Sequence, residues 1–151
     1  MFKVKLICVG KLRDRWLKEG CAEYQKRLGR FCDLEIAEVP ESRAKDMATM
    51  LKEEQEFIAP RIAGHCAALA IEGERMDSRA LSGFVSGIKS RGERLTLIIG
   101  GSHGLSDGVK QRADSLISMS DMTFPHTMAR VMLLEQLYRA FMIDAGSDYH
   151  K

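Results

Sequence analysis

Two short runs constrain this chain more than anything else in it. Cys66 to Ile71 and Leu95 to Ile99 are almost wholly apolar, with none of the alternation of a strand that has one face in water. A strand of that kind must be buried on both sides, as it is in a parallel sheet held between two layers of helices. The segments around them fit that frame. Lys3–Val9 and Asp33–Val39 read as strands, and Leu116–Met119 as a brief one. Helical spacing is expected over Arg15–Leu28, over a long charged stretch from Ala44 to Ile62, and over Ser78–Ser90, with Asp77 or Ser78 as its cap. A short helix follows Ser106, and Pro125 opens a final helix reaching about Ala145, in keeping with the preference of proline for a first helical turn. Five strand–helix units in alternation imply an α/β fold with a mostly parallel sheet and helices on both faces.

The chain has 151 residues and shows no repeat, linker or low-complexity stretch, so residues 1–151 are expected to form one domain. No run approaches the roughly 20 apolar residues of a membrane span. The opening MFKVKLICV alternates like a strand and lacks the apolar core of a signal peptide, so the expected compartment is the cytoplasm. Cys8, Cys21, Cys32 and Cys66 are spaced too widely for a zinc site and are expected to be reduced and buried; no metal is expected. The net charge of +2 does not by itself mark a nucleic-acid binder. Locally, Lys11, Arg13, Arg15 and Lys18 cluster after the first strand, with Lys26, Arg27 and Arg30 on the next helix. On charge alone a solvated helix face accounts for them better than an RNA contact does.

Four features point to chemistry. In IIGGSHGL, residues 98–105, a buried strand runs into a glycine-rich loop and then a helix. Ligands of open α/β sheets bind at the carboxyl ends of strands, and glycines there let backbone approach a ligand. The spacing is neither the dinucleotide fingerprint nor a P-loop. SMSDMTFPH, residues 118–126, lies on the same rim and offers hydroxyls, backbone groups and apolar side chains suited to an adenine ring. The helix from Arg130 to Ile143 is apolar nearly all round, which asks for cover on more than one side. The sheet supplies one cover and a second subunit is the economical source of another. Glu135 and Arg139 are spaced for an ion pair. Finally, the chain ends in DYHK, where Tyr149, His150 and Lys151 combine a stacking ring, an imidazole and a cation suited to a nucleotide.

Together these motifs resemble the RlmH family of the SPOUT superfamily, bacterial methyltransferases of N3 of a pseudouridine in 23S ribosomal RNA. IIGGSHGL, SMSDMTFPHTMARVMLLEQLYRAF and the terminal DYHK carry the likeness most specifically; KVKLICVGKL and LAIEGERMDS extend it over essentially the whole chain. The resemblance implies a C-terminal trefoil knot from about Leu95 onward, a homodimer, S-adenosylmethionine as cofactor, and 23S rRNA in the assembled ribosome as substrate. It implies cofactor contacts from Leu69, Ile71, Gly100, Gly101, Gly104, Met119, Ser120, Asp121, Met122, Thr123 and Phe124. For the reaction, His126 and His150 are the candidate proton acceptors. Arg130 or Arg139 is expected to steady negative charge on the base, Tyr149 to orient it, and Tyr149, His150 and Lys151 to bind RNA, with the tail reaching the partner's site. Two positions depart from the family pattern. Ser147-Asp148 stand before Tyr149 where proline is usual, and Thr127 follows His126 where many relatives have proline. The competing readings are a non-catalytic RNA- or nucleotide-binding protein of the same fold, and an unrelated Rossmann-like enzyme.

Overall fold

A computed structural model describes residues 1–151. The elements run β1 (Lys3–Val9), α1 (Arg15–Leu28), β2 (Asp33–Val39), α2 (Met47–Ile58), β3 (His65–Arg75), α3 (Ser78–Ser90), β4 (Leu95–Ile99), α4 (Asp107–Arg112), β5 (Ser115–Ser118) and α5 (His126–Asp144). The five strands form one sheet in the order β2-β1-β4-β3-β5, and every pairing is parallel. β4 lies between β1 and β3, and all five of its residues are buried, as its lack of alternation requires. One core cluster joins the sheet to α1, α3 and α5; a second joins its other face to α2 and α4. Connections that step toward β2 use the first face, and those that step toward β5 through α2 and α4 use the other. Every crossover therefore has the same hand.

Local chemistry sets most element ends. Asp46 accepts from the Thr49 amide at 2.8 Å and starts α2 three residues later than the charged stretch suggests. The helix gives way to a 3₁₀ turn at Ala59–Arg61, where Pro60 has no amide to continue it. Asp77, rather than Ser78, caps α3 through the Ala80 amide. Pro125 is the residue before α5, not its first helical residue.

The largest difference from the sequence reading is in β3. It does not stop at Ile71 but runs to Arg75 across an irregularity: Leu69 and Glu74 both pair with Ile117 of β5. The chain between them is looped out. Gly73 makes this possible, because a Cβ there would come within 2.7 Å of the Ile117 and Leu116 backbone.

The expected role of α5 as an interface helix changes as well. Leu137 and Phe141 are only 1% and 4% exposed within a single chain, packed among α1, α3 and the sheet. Phe141 stacks on Phe31 with the rings 3° from parallel, and Tyr138 packs beside Tyr24. Neighbours within the chain cover these two residues, whereas Met128 near the start of the same helix stays exposed. No helix is long and apolar enough to cross a membrane.

Candidate active site

Because all strands are parallel, their carboxyl ends share one rim. A cleft of about 730 Å³ opens there, beyond β3, β4 and β5. This is within the range of sites that enclose a small ligand. Its first wall is the looped-out turn of β3, Leu69 to Ile71. The second is the glycine loop after β4, and the third is the segment from Ser118 to the first turn of α5. Of the residues expected to hold a cofactor, Leu69, Ile71, Gly100, Gly101, Gly104, Met119, Ser120, Met122, Thr123 and Phe124 line it. Asp121 does not. Its carboxylate turns outward to the Arg75 guanidinium at 3.0 Å, an exposed pair of little energetic weight.

The glycine loop is a tight structure. Gly101 and Gly104 pair across it, with the Gly104 amide donating to the Gly101 carbonyl at 3.1 Å, and Gly104 has φ +77°. A Cβ on Gly100 would lie 2.5 Å from the Gly104 carbonyl group. We therefore expect Gly100→Ala to open the loop and lower affinity for any ligand of this cleft by at least about tenfold. Calorimetry on the folded variant checks this. A Cβ on Gly101 would instead meet Val9 at 3.1 Å, so bulk there pushes on the core rather than filling the cleft. On the third wall, Ser118 donates to the Ser120 carbonyl at 3.0 Å and the Ser120 hydroxyl accepts from the Met122 amide at 3.0 Å. Two serines thus shape the turn that leaves Met122 72% exposed at the cleft mouth.

The candidate reactive groups separate into three places. His126 lines the cleft. Arg130, one turn further along α5, turns away from it. The residue is 3% exposed, and its guanidinium donates to Glu38 at 2.6 Å and to the Gly10 carbonyl at 3.1 Å, which ties α5 to the ends of β1 and β2. Arg139, Tyr149 and His150 form a third group. Arg139 donates to both carboxylate oxygens of Glu135 and to His150 Nδ1, each at 3.1 Å. Guanidinium cannot accept, so Nδ1 is the bare nitrogen and Nε2 carries the proton in this arrangement. Tyr149 donates to Glu135 at 2.9 Å, lies under the Arg139 guanidinium at 4.8 Å, and meets the Tyr138 ring edge-on. Burial and the hydrogen bond to Glu135 push its phenol up to about 12, so it remains a donor throughout the physiological range. Lys151 is exposed at the end. At 1.5 Å per residue, Arg139 stands about 20 Å along α5 from His126, so in one chain the docked tail does not reach the cleft.

The family described as "Predicted SPOUT methyltransferase" matches residues 2–150. The chain belongs to the SPOUT methyltransferase family. The curated protein "Ribosomal RNA large subunit methyltransferase H" of Streptococcus pyogenes serotype M5 (strain Manfredo) is 47% identical over 158 residues, covering 99% of this chain and 99% of that protein. Among solved structures, a probable methyltransferase from Bordetella pertussis Tohama I aligns with TM-score 0.60 at 14% identity, over 92% of this chain and 94% of the other. TrmJ from Z. mobilis ZM4 aligns with TM-score 0.54 at 11% identity, over 93% and 70%. At such identities these structures speak for the fold alone: a SPOUT α/β domain.

Sequence reading missed several wall residues, among them Ala70, Ser102 and Ala129. It also missed a pocket of about 300 Å³ beside the cleft. That pocket shares Leu69, Ile117, Ser118 and Met119 with it and is closed by Met76, Met132 and Gln136. The signal available was Gly73, an isolated glycine in a strand pattern, which marks a bulge or close approach. All four cysteines are free and buried, and burial pushes Cys8 up to about 12 and Cys66 to about 11, so none is poised as a nucleophile.

Proposed function

We propose that this protein is an S-adenosylmethionine-dependent methyltransferase of 23S ribosomal RNA that modifies N3 of a pseudouridine and works as a homodimer. The observation that carries the reading is the three-walled cleft on the carboxyl rim in a chain 47% identical, end to end, to a ribosomal RNA large subunit methyltransferase. The cleft suits the cofactor. Leu69, Ile71, Met119 and Phe124 offer apolar cover for an adenine ring, and the loop drawn tight at Gly100 and Gly104 lines the cleft with bare backbone. When bound, S-adenosylmethionine supplies an electrophilic methyl group on its sulfonium.

The residues of the chain do the rest. N3 carries a proton in the neutral base, and His126, the one candidate base that lines the cleft, takes it. Arg139, Tyr149 and His150 belong to the substrate side and reach the cleft of the other subunit, which the distance along α5 within one chain supports. Trp16 and Met128, both exposed, join Met122 as apolar surface for the second copy to cover. Arg130 holds the loop after β1 in place; its buried pairing with Glu38 argues against contact with the base. The reading also includes the knot. Residues 119–129 lie against the glycine loop although β5 is the far edge strand, and α5 then packs on the face opposite α4.

The test is methyl transfer from labelled cofactor to ribosomes from cells lacking this protein, with mass spectrometry of 23S rRNA locating the product. Cofactor binding without transfer to any ribosomal substrate would favour the non-catalytic reading.

A further inference from the structure

A second opening on the same rim has no part in the reaction just described. It is a groove of about 480 Å³ between the loop after β1, helix α1 and the ends of β2, lined by Lys11, Lys18, Gln25, Glu38 and Arg130, among others. Neither Lys11 nor Lys18 has an acidic partner within 4 Å, although both are exposed. The one carboxylate, Glu38, is engaged by Arg130 at 2.6 Å, which leaves the two lysines as uncompensated charge. Arg130 itself is buried, and its Nε is the only buried side-chain nitrogen or oxygen in the chain with no hydrogen-bond partner. Its Nη2 also holds the Gly10 carbonyl, and Gly10, at φ +86°, makes the turn that presents Lys11. The groove is therefore built on a fixed floor rather than assembled from free side chains.

We propose that this groove binds an internucleotide phosphate of the RNA whose base enters the cofactor cleft, a reading that rests on the proposed function. The placement favours a single ligand spanning both. The groove sits over β1 and β2 and the cleft over β4, β3 and β5. With strands about 4.8 Å apart, the two lie on the order of 10 Å from each other, within reach of one RNA strand. The first turn of α5 separates them, with Ala129 on the cleft and the adjacent Arg130 on the groove. Phosphate contacts position a nucleic acid without reading its sequence. Such a contact beside the cleft would hold the strand in place while its base is inside.

The test uses the Lys11→Ala/Lys18→Ala double variant and binding of the full-length protein to ribosomes at several salt concentrations. The expected result is a dissociation constant raised about tenfold or more and a log K against log salt slope shallower by about 0.7 to 1, as loss of one phosphate contact gives, with cofactor affinity unchanged. Lys45→Ala/Lys52→Ala removes the same charge from exposed positions around α2, on the other face, and is expected to leave the slope nearly as it is. Unchanged binding in the first variant, or an equal loss in the second, would overturn the proposal. So would titration of wild-type Trp16 fluorescence by inorganic phosphate that saturates below about 1 mM and is lost in the double variant, since that describes a free-anion site. Failure of the wild type to methylate ribosomes would count against the proposed function instead, and ribosome binding is read separately from it.

Discussion

Deletion of Tyr149, His150 and Lys151 is expected to lower methyl transfer to ribosomes by at least about a hundredfold, the scale of losing groups that orient a base and handle its proton. Cofactor affinity should remain, because none of the three lines the cleft. Stability should fall only modestly. Tyr149 gives up an edge contact with Tyr138 and a hydrogen bond to Glu135, and Arg139 keeps its ion pair with Glu135. A mixing experiment makes the prediction sharper. If the tail acts on the partner's cleft, the deletion variant lacks its tails and Gly100→Ala, assayed at limiting cofactor, lacks working clefts, but mixed dimers hold one complete site. Equal amounts, unfolded and refolded together, should recover about a quarter of the wild-type rate, because half the dimers are mixed and each has one site of two. No recovery, with both variants folded and dimeric, would place the tail in its own chain's site or outside the reaction altogether.

Leu137→Asp is expected to abolish folding rather than release a folded monomer. Leu137 is 1% exposed at the centre of the cluster that joins α5 to α1, α3 and the sheet. Loss of its packing and burial of an unpaired carboxylate together cost at least about 4 kcal/mol, against a total stability on the order of 5–15 kcal/mol for a domain of this size. Circular dichroism should show a lost or strongly lowered thermal transition. A well-folded Leu137→Asp protein that sediments as a monomer would mean that this face of α5 opens to a partner, contrary to its burial here. Exposed Met128, on the same helix, is the better position at which to probe association.

The site was partly legible before the fold was known. The glycine loop at residues 100–104 and the serine-rich segment at 118–124 were recognisable because each follows a strand, and in a parallel sheet every strand points its carboxyl end to the same rim. The fold class followed from Leu95–Ile99, whose lack of alternation leaves only a doubly covered position. The strand limits of β1, β2 and β4 and the helix limits of α1 and α3 follow from local patterning, and the structure has them at the same residues.

What the sequence alone determined is thus everything written in neighbouring residues: the alternation of strands and helices, the buried central strand, the caps, and the types of group on the rim. The side of α5 on which each charged residue falls was decided only by tertiary packing. Arg130 and Ala129 are adjacent in the chain, yet one faces Glu38 and the other the cleft, because α5 is seated between α1 and α3. The same packing covers Leu137 and Phe141 from within, and it sets the tail about 20 Å from the cleft of its own chain. Partners such as Glu38 and Arg130, 92 positions apart, carry no local signal of each other, since their contact exists only once the sheet and α5 have been brought together.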